Sequence, residues 1–178
     1  MMLRRRQFDM CEACQATGEG CFEGLDRGVT ERNELVFADL LFPPRNYHCT
    51  RLKAVLVIMD AHTRFVTAFP VKDTTKEEVN PLIQRYVAWA ERLCPGCKVQ
   101  TVFSDVGGEL VNDEITNWYQ SHGIVHTTTP RNSSRLNMVE RTHEMLVGMM
   151  KSMMKEAGLP TSFWVDALHY AVYLKNRS

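Results

Sequence analysis

The chain of 178 residues is long enough for one domain of ordinary size with a buried core. Hydrophobic residues make up 44% of it and charged residues 24%, which excludes an intrinsically disordered protein. Basic and acidic residues balance at 21 each, so the net charge neither favours nor excludes a nucleic-acid partner. The longest aliphatic run, Ala54 to Met59, is far too short to span a membrane, and no apolar segment follows the N-terminal arginines. We therefore expect an intracellular protein without a signal peptide.

The first 33 residues lack a sustained hydrophobic period, and we expect them to form an N-terminal leader. They contain Cys11-Glu-Ala-Cys14, whose spacing suits two thiolate ligands of zinc. Because no histidine precedes the pair, half of a four-ligand site is missing. Two interpretations stay open, a pair of free cysteines or the remnant of a zinc-binding module. Completing the site would require the chain to fold back and add ligands from Cys21, His48 or Cys49.

Three segments in the first half of the chain have the composition of strands. The first runs from Leu35 to Leu41 and ends before two prolines. The second and third are Lys53 to Met59 and Phe65 to Val71, rich in aliphatic and aromatic residues. The short polar turn between the last two predicts an antiparallel hairpin.

A helix is expected after the hairpin, because Thr74-Thr-Lys-Glu77 resembles a capping box and apolar residues then recur at helical spacing. Cys94-Pro-Gly-Cys97 ends this helix. The cysteine pair also has a redox or metal interpretation, but we favour a helix-to-strand turn because no partner ligands stand nearby. Residues 98–103 are the next predicted strand, and it leads to Asp105.

The second half continues with a short helix over residues 111–121, a short strand over 124–127 and a polar loop over 130–137. The strongest periodicity in the chain predicts a long helix over residues 138–157, ended by Gly158 and Pro160. A final helix is expected over residues 162–174. The apolar seam of the long helix is predicted to contain Val139, His143, Leu146, Met150, Met153 and Ala157.

Three carboxylates stand where strands end or a helix begins. Asp105 follows a predicted strand and precedes two glycines, which leave room for a large ligand. Glu140 opens the long helix, and Asp39 lies in the first strand. Each acid alone is ordinarily a solvated cap, and Asp60 competes with Asp39 for the third position. If the fold brings the three together, their hard oxygen ligands suit Mg²⁺ or Mn²⁺.

Six short motifs stand in order along the chain: Asp60-Ala-His-Thr-Arg64, Asp105-Val-Gly-Gly-Glu109, His122-Gly-Ile124, Glu140-Arg141, Ser162-Phe-Trp164 and Tyr173-Leu-Lys-Asn-Arg177. Together with the three acids, these motifs and their order resemble the integrase catalytic core of Ty1/copia-type retrotransposon polyproteins. The resemblance covers roughly residues 35–178, and Cys11 and Cys14 resemble the last two ligands of that family's zinc module. It implies an α/β, ribonuclease H-like fold with a mixed five-stranded sheet flanked by helices. It also implies two parts, residues 1–33 with a zinc-module remnant and a catalytic core over 34–178, truncated at its C-terminal end.

The resemblance implies DNA integration by a polynucleotidyl transferase, with Asp39, Asp105 and Glu140 as catalytic residues and ligands of Mg²⁺ or Mn²⁺. Zn²⁺ at the N-terminus is a further implied cofactor. Arg141 and Lys151 are the implied nucleic-acid contacts. The implied partners are element ends, target DNA and further copies of the chain, with no membrane, and the implied location is the nucleus.

Some positions depart from the family pattern. The interval from Asp105 to Glu140 is one residue shorter than usual, and residues 131–137 lack a typical proline and glycine. Thr142 and Glu144 occupy positions where the family tends to have basic residues that contact DNA. Two alternatives therefore stay open, an inactive nucleic-acid-binding relic and a metal-dependent nuclease of the same superfold.

Overall fold

The computed structural model describes residues 28–47, 51–129 and 137–177. Five strands in this part of the chain form one sheet in the order β3-β2-β1-β4-β5. β1 pairs antiparallel with β2, and β2 with β3, whereas β4 runs parallel to both β1 and β5. The predicted mixed five-stranded sheet and the predicted hairpin are therefore confirmed. The strands are β1 Leu35–Leu41, β2 Ala54–Asp60, β3 Val66–Val71, β4 Thr101–Asp105 and β5 Val125–Thr129.

Helices cover both faces of this sheet. Short 3₁₀ turns lie at Arg45–Tyr47 and Thr161–Phe163. The described residues contain four α-helices, α1 Lys76–Leu93, α2 Asp113–Ser121, α3 Asn137–Glu156 and α4 Trp164–Lys175. No helix in the described residues is long and apolar enough to cross a membrane.

Alternation along β1 divides the core into two halves, because successive side chains of a strand point to opposite faces. Leu35, Phe37 and Leu41 join a cluster with α3 and α4. Val36, Ala38 and Leu40 join a second cluster with α1 and α2. The result is a three-layer α/β/α arrangement in which β1 is covered on both faces.

The buried stripe of α3 differs from the predicted seam at its C-terminal end. Val139, Leu146 and Met150 are buried as expected, but Met154 is buried where Met153 was predicted, and Ala157 is exposed. Thr142 also lies inward, donating its hydroxyl to the carbonyl of Met138 at 2.9 Å. The stripe follows steps of three and four that suit a helix packed on a twisted sheet and on α4.

The two ends of α1 differ in detail from what the sequence predicts. The N-cap is Thr75, which makes no side-chain capping hydrogen bond, so the predicted capping box at Thr74 is wrong. Instead, the Glu78 carboxylate accepts hydrogen bonds from the amides of Lys72 and Asp73, both at 2.8 Å. At the C-terminal end of α1, the predicted helix-to-strand turn is present, and its two cysteines, Cys94 and Cys97, are joined by a disulfide.

Asn33 connects three elements beneath the N-terminal end of β1. It is buried and has a φ of 66°, in the left-handed region that asparagine tolerates better than most residues. Its backbone amide donates to Oδ1 of Asp60 at 2.8 Å. Its side-chain amide donates to the carbonyls of Ala90 and Cys97 at 3.3 and 2.8 Å.

Candidate catalytic site

Asp39 and Asp105 lie side by side in the middle of the sheet. Ala38 pairs with Ser104 in the parallel register of β1 and β4, so the next residue on each strand is one of the two acids. Neighbouring strands are about 4.8 Å apart, which brings both carboxylates to the same edge. Asp39 Oδ1 accepts a hydrogen bond from the Leu40 amide at 2.8 Å, and Asp105 Oδ1 accepts one from Val106 at 2.6 Å.

Glu140 reaches the same region from the first turn of α3, where its side chain is exposed. The electrostatics of Asp39 connect the three acids. Burial, together with the negative charges of Asp105, Glu140 and Glu109, raises the pKa of the Asp39 carboxyl to about 6, and the Leu40 hydrogen bond opposes this rise. The three predicted acids therefore lie within electrostatic range of one another.

Glu109 is a fourth acid that was not assigned to the site from the sequence. Its carboxylate folds back over Gly107, where a methyl group added at the glycine Cα would lie only 3.0 Å from Oε2 and 3.1 Å from Cδ. A side chain at position 107 would therefore push the carboxylate away. The signal was present in the motif Asp105-Val-Gly-Gly-Glu109, but no spacing rule shows that the loop turns back.

His143 also approaches the site, although it was predicted in the apolar seam of α3. Its Nδ1 lies 3.6 Å from Asp39 Oδ2, and the side chain is 15% exposed. Burial lowers the pKa of the imidazole to about 4, so the ring is neutral at pH 7 and the contact is not an ion pair. Three residues after Glu140, His143 lies on nearly the same helix face, and that spacing is the signal in the sequence.

A polar link supports the end of β4. The Ser104 hydroxyl donates to the carbonyl of Asp105 at 3.1 Å and lies 2.9 Å from His126 Nε2. Because the hydroxyl has one hydrogen, the contact with His126 requires the imidazole Nε2–H to donate. The His126 ring packs against Tyr119 of α2, with centroids 4.9 Å apart. Sequence reasoning missed this support, because it joins residues from two strands and a helix.

The donor set fits a hard divalent cation better than zinc, because it consists of carboxylate oxygens. Within the described residues, no group of three His, Cys, Asp or Glu side chains is close enough to hold a metal ion as it stands. The carboxylates of Asp39, Asp105 and Glu140 thus share an electrostatic environment without forming a closed ligand cage. Like charges this close repel one another, and a bound cation would reduce that repulsion.

The remaining predicted residues have different surroundings. Asp60 is buried at the C-terminal end of β2, where it pairs with Val36 near the start of β1. Its Oδ2 accepts hydrogen bonds from the Thr63 amide and hydroxyl. It is therefore a structural acid and lies away from the other three. Arg141 and Lys151 are exposed on α3. Cys11 and Cys14 lie outside the described residues, as do the further zinc candidates Cys21, His48 and Cys49.

Thr142 and Glu144 differ in the direction they face. Glu144 is exposed, but Thr142 is buried against Met59, with its hydroxyl 3.6 Å from the methionine sulfur. A residue directed into the core does not contact DNA, so Thr142 does not count as a lost DNA contact. Of the two departures on α3, only the one at Glu144 concerns the exposed surface.

Comparison with known proteins places these observations in a family. Residues 29–134 match the model of the integrase core domain. The chain is 33% identical over 146 residues to the retrovirus-related Pol polyprotein from transposon TNT 1-94 of Nicotiana tabacum, covering 82% of the chain. It is 30% identical over 123 residues, 68% of the chain, to that from transposon RE2 of Arabidopsis thaliana. The chain spans only 11% and 8% of these two polyproteins.

Solved structures share the fold at low sequence identity. One chain of a simian T-cell lymphotropic virus intasome in complex with PP2A regulatory subunit B56 gamma superposes with a TM-score of 0.63 and 22% identity. The match covers 79% of this chain and 47% of the intasome chain. For the catalytic core domain of BIV integrase the TM-score is 0.57 at 18% identity, covering 79% and 81%. The HTLV-2 integrase catalytic core domain in complex with magnesium gives 0.56 at 19%, covering 79% and 83%.

The predicted ribonuclease H-like fold is thereby confirmed, since these neighbours are retroviral integrase cores. The family match covers more than half of the chain, and the similar polyproteins come from plant retrotransposons. The chain belongs to the integrase core domain family, and within it the chain is similar to the integrase cores of Ty1/copia-type transposon polyproteins.

Proposed function

We propose that this chain is a metal-dependent polynucleotidyl transferase that processes element DNA ends and joins them to target DNA. The observation that carries the proposal is that Asp39 and Asp105 directly follow a paired position near the carboxyl ends of adjacent parallel strands, with Glu140 on the first turn of α3. In open α/β sheets, ligands bind beyond the carboxyl ends of the strands. Three acids at that edge suit a reaction at a phosphate.

Asp39, Asp105 and Glu140 are the proposed ligands of Mg²⁺ or Mn²⁺. When bound, such ions stabilise the developing charge on a phosphate and activate a hydroxyl nucleophile. The role of these side chains is to supply hard oxygen ligands and to hold them at one edge of the sheet. Glu109 adds negative charge at the same edge, which strengthens the preference for a cation.

The proposed reaction has two displacements at phosphorus. First, a water molecule loses a proton and its oxygen bonds to the phosphorus near the element end. The bond from that phosphorus to the 3′-oxygen breaks, and the 3′-oxygen takes up a proton and leaves as a 3′-hydroxyl. The freed 3′-hydroxyl then bonds to a phosphorus of target DNA, losing its proton as the target's own 3′-oxygen leaves and is protonated. No covalent protein–DNA intermediate is needed.

Arg141 and Lys151 are the proposed DNA contacts, because both are exposed cations on the helix that begins near the site. We also propose that the active form contains several copies of the chain. One similar structure is an intasome and another is a trimeric form, which supports this proposal. We further propose that the chain divides into residues 1–33 and 34–178. We also propose that Cys11 and Cys14 are the remnant of a zinc module, and that the chain acts in the nucleus.

The test is a strand-transfer assay with a preprocessed DNA end, a target duplex and Mg²⁺ or Mn²⁺. We expect joining by the wild type, and a loss of at least about a hundredfold in Asp105→Asn, since the substitution removes a charged ligand. Asp166→Asn, the same substitution at an exposed residue of α4, should keep wild-type activity. Cutting without joining would indicate a nuclease instead, and DNA binding without either reaction would indicate an inactive relic.

A further inference from the structure

His143 occupies a position that the proposed chemistry does not use. It follows Glu140 by three residues on α3, so its ring projects toward the same edge of the sheet. The ring is largely buried, and Nδ1 lies 3.6 Å from Asp39 Oδ2.

The two ring nitrogens of His143 have different surroundings. Nε2 is buried and has no hydrogen-bond partner in the described part of the chain, whereas Nδ1 faces a carboxylate oxygen. A neutral imidazole carries its proton on one nitrogen. Buried N–H groups without a partner are rarer in proteins than buried acceptors without one. The proton therefore belongs on Nδ1, directed at Asp39.

The Asp39 carboxylate is thus approached from two sides. The Leu40 amide donates to Oδ1, and the His143 ring faces Oδ2. We propose that His143 is a positioning residue, which uses its Nδ1–H to fix the rotation of the Asp39 carboxylate for cation binding. The separation of 3.6 Å exceeds that of a hydrogen bond, and such contacts commonly shorten when a site is occupied. As far as it concerns the cation, the inference rests on the function proposed above.

A direct ligand role for His143 fits the geometry less well. A nitrogen ligand needs a free lone pair facing the cation, and in this tautomer the lone pair is on Nε2, the nitrogen that does not face Asp39. Partners of metal-binding side chains commonly act in the way proposed here, and their loss typically costs about 10–100-fold in metal affinity. The expected defect is therefore weaker cation binding with the carboxylates themselves unchanged.

Two substitutions separate a hydrogen-bond role from a packing role. His143→Leu keeps an apolar group of similar size but has no donor. His143→Asn is smaller, and its amide Nδ2 can stand near the position of the imidazole Nδ1. If His143 only fills space, the leucine variant should behave like the wild type and the asparagine variant should be the worse of the two. If it positions Asp39, the order is reversed.

The first measurement is the histidine tautomer by ¹⁵N NMR on the wild-type chain without metal. We expect the Nδ1–H form of His143; the Nε2–H form would overturn the inference, whatever the chain catalyses. The second is Mn²⁺ binding by calorimetry, for which we expect about tenfold weaker affinity in His143→Leu and affinity within about twofold of wild type in His143→Asn. Met145→Leu, at an exposed neighbouring position, is the control.

Equal Mn²⁺ affinity in the wild type and His143→Leu would also overturn the inference. Failure of the wild type to bind Mn²⁺ at all would count against the proposed function instead. The positioning inference would then be decided by the tautomer alone, because that measurement needs neither metal nor DNA. If His143→Leu does not fold, the tautomer and the His143→Asn titration still give an answer.

Discussion

At the scale of single residues, two aspartates of the same sheet show what distinguishes a ligand from a structural acid. Asp60 is buried, but its oxygens accept hydrogen bonds from Asn33 and Thr63, which stabilise it within the fold. Asp39 is largely buried, has one amide donor and lies among other carboxylates, so its pKa is raised to about 6. Such a group lowers the stability of the folded state when it ionises, unless a cation is bound.

We expect Asp39→Asn to stabilise the chain at neutral pH. The folded-state pKa of Asp39 is about 6, raised above its ordinary value of 3.8. Ionisation of Asp39 therefore removes stability from the wild type as the pH rises from about 4 to about 6, and the loss then stays constant. The asparagine variant avoids that loss, which amounts to about 1–3 kcal/mol for a partly exposed group.

Urea unfolding of both proteins at pH 4 and pH 7.5, without divalent cations, measures this effect. The variant should be the more stable protein at pH 7.5 and should equal the wild type near pH 4. Asp60→Asn is the matched control and should destabilise, because its carboxylate oxygens accept several hydrogen bonds. If Asp39→Asn is less stable than the wild type at pH 7.5, ionised Asp39 does not destabilise the folded chain and this prediction is wrong.

At the scale of elements, sequence patterns predict strands better than they predict which way a helix faces. The first strand has the predicted bounds, Leu35 to Leu41, because its apolar run ends at prolines. On α3 the existence and length of the helix were predicted well, but the buried stripe depends on its neighbours. Whether Met153 or Met154 is buried is decided by packing on the sheet and α4, which the periodicity of one helix does not contain.

The exposed side of α3 can be tested for DNA binding. Glu140, Glu144 and Lys151 are exposed and share one strip of the helix with the half-buried Val147. Phosphate neutralisation is the main source of non-specific affinity for DNA. We therefore expect Glu144→Lys to strengthen binding to a short duplex and to steepen its salt dependence by about one counterion.

The comparison is made by measuring duplex affinity across a salt series. Glu156→Lys, which changes the charge equally at the far end of the helix, is the control and should leave the slope nearly unchanged. If Glu144→Lys has the wild-type slope, or if both variants shift it equally, the strip does not face DNA. The proposed orientation of DNA along α3 would then be wrong.

At the scale of the whole molecule, the sequence predicts the architecture but only part of the site. The order of strands and helices, and the acids at Asp39, Asp105 and Glu140, follow from patterns along the chain. Glu109 and His143 do not, because a loop that turns back and the rotation of a helix arise only from tertiary packing. The support of Asp105 by Ser104 and His126 is likewise formed between strands.

The two core clusters are apolar and include no acid of the site, so we expect the chain to fold without metal. Mn²⁺ should nevertheless raise the melting temperature, because a cation that binds only the folded state stabilises it. At a concentration about a hundred times the dissociation constant, the gain is about 2.7 kcal/mol, or roughly 5–10 °C for a chain of this size.

Thermal unfolding with and without MnCl₂, at constant ionic strength, measures the shift. Asp105→Asn and Glu140→Gln should lose most of it, and Asp166→Asn should keep it. An equal shift in all four proteins would mean that the cation binds elsewhere on the surface.

The three hydrogen bonds that Asn33 donates have a practical consequence for dissecting the chain. A shortened protein that starts at residue 34 would lose the donors to Asp60, Ala90 and Cys97 together. Buried acceptors without donors destabilise a fold, so such a truncation should express as a less stable protein, even though it contains every strand of the described sheet. Glycine would accept the left-handed backbone and aspartate would keep the shape, but neither supplies the side-chain N–H. The start point for a soluble fragment is therefore best chosen upstream of Asn33.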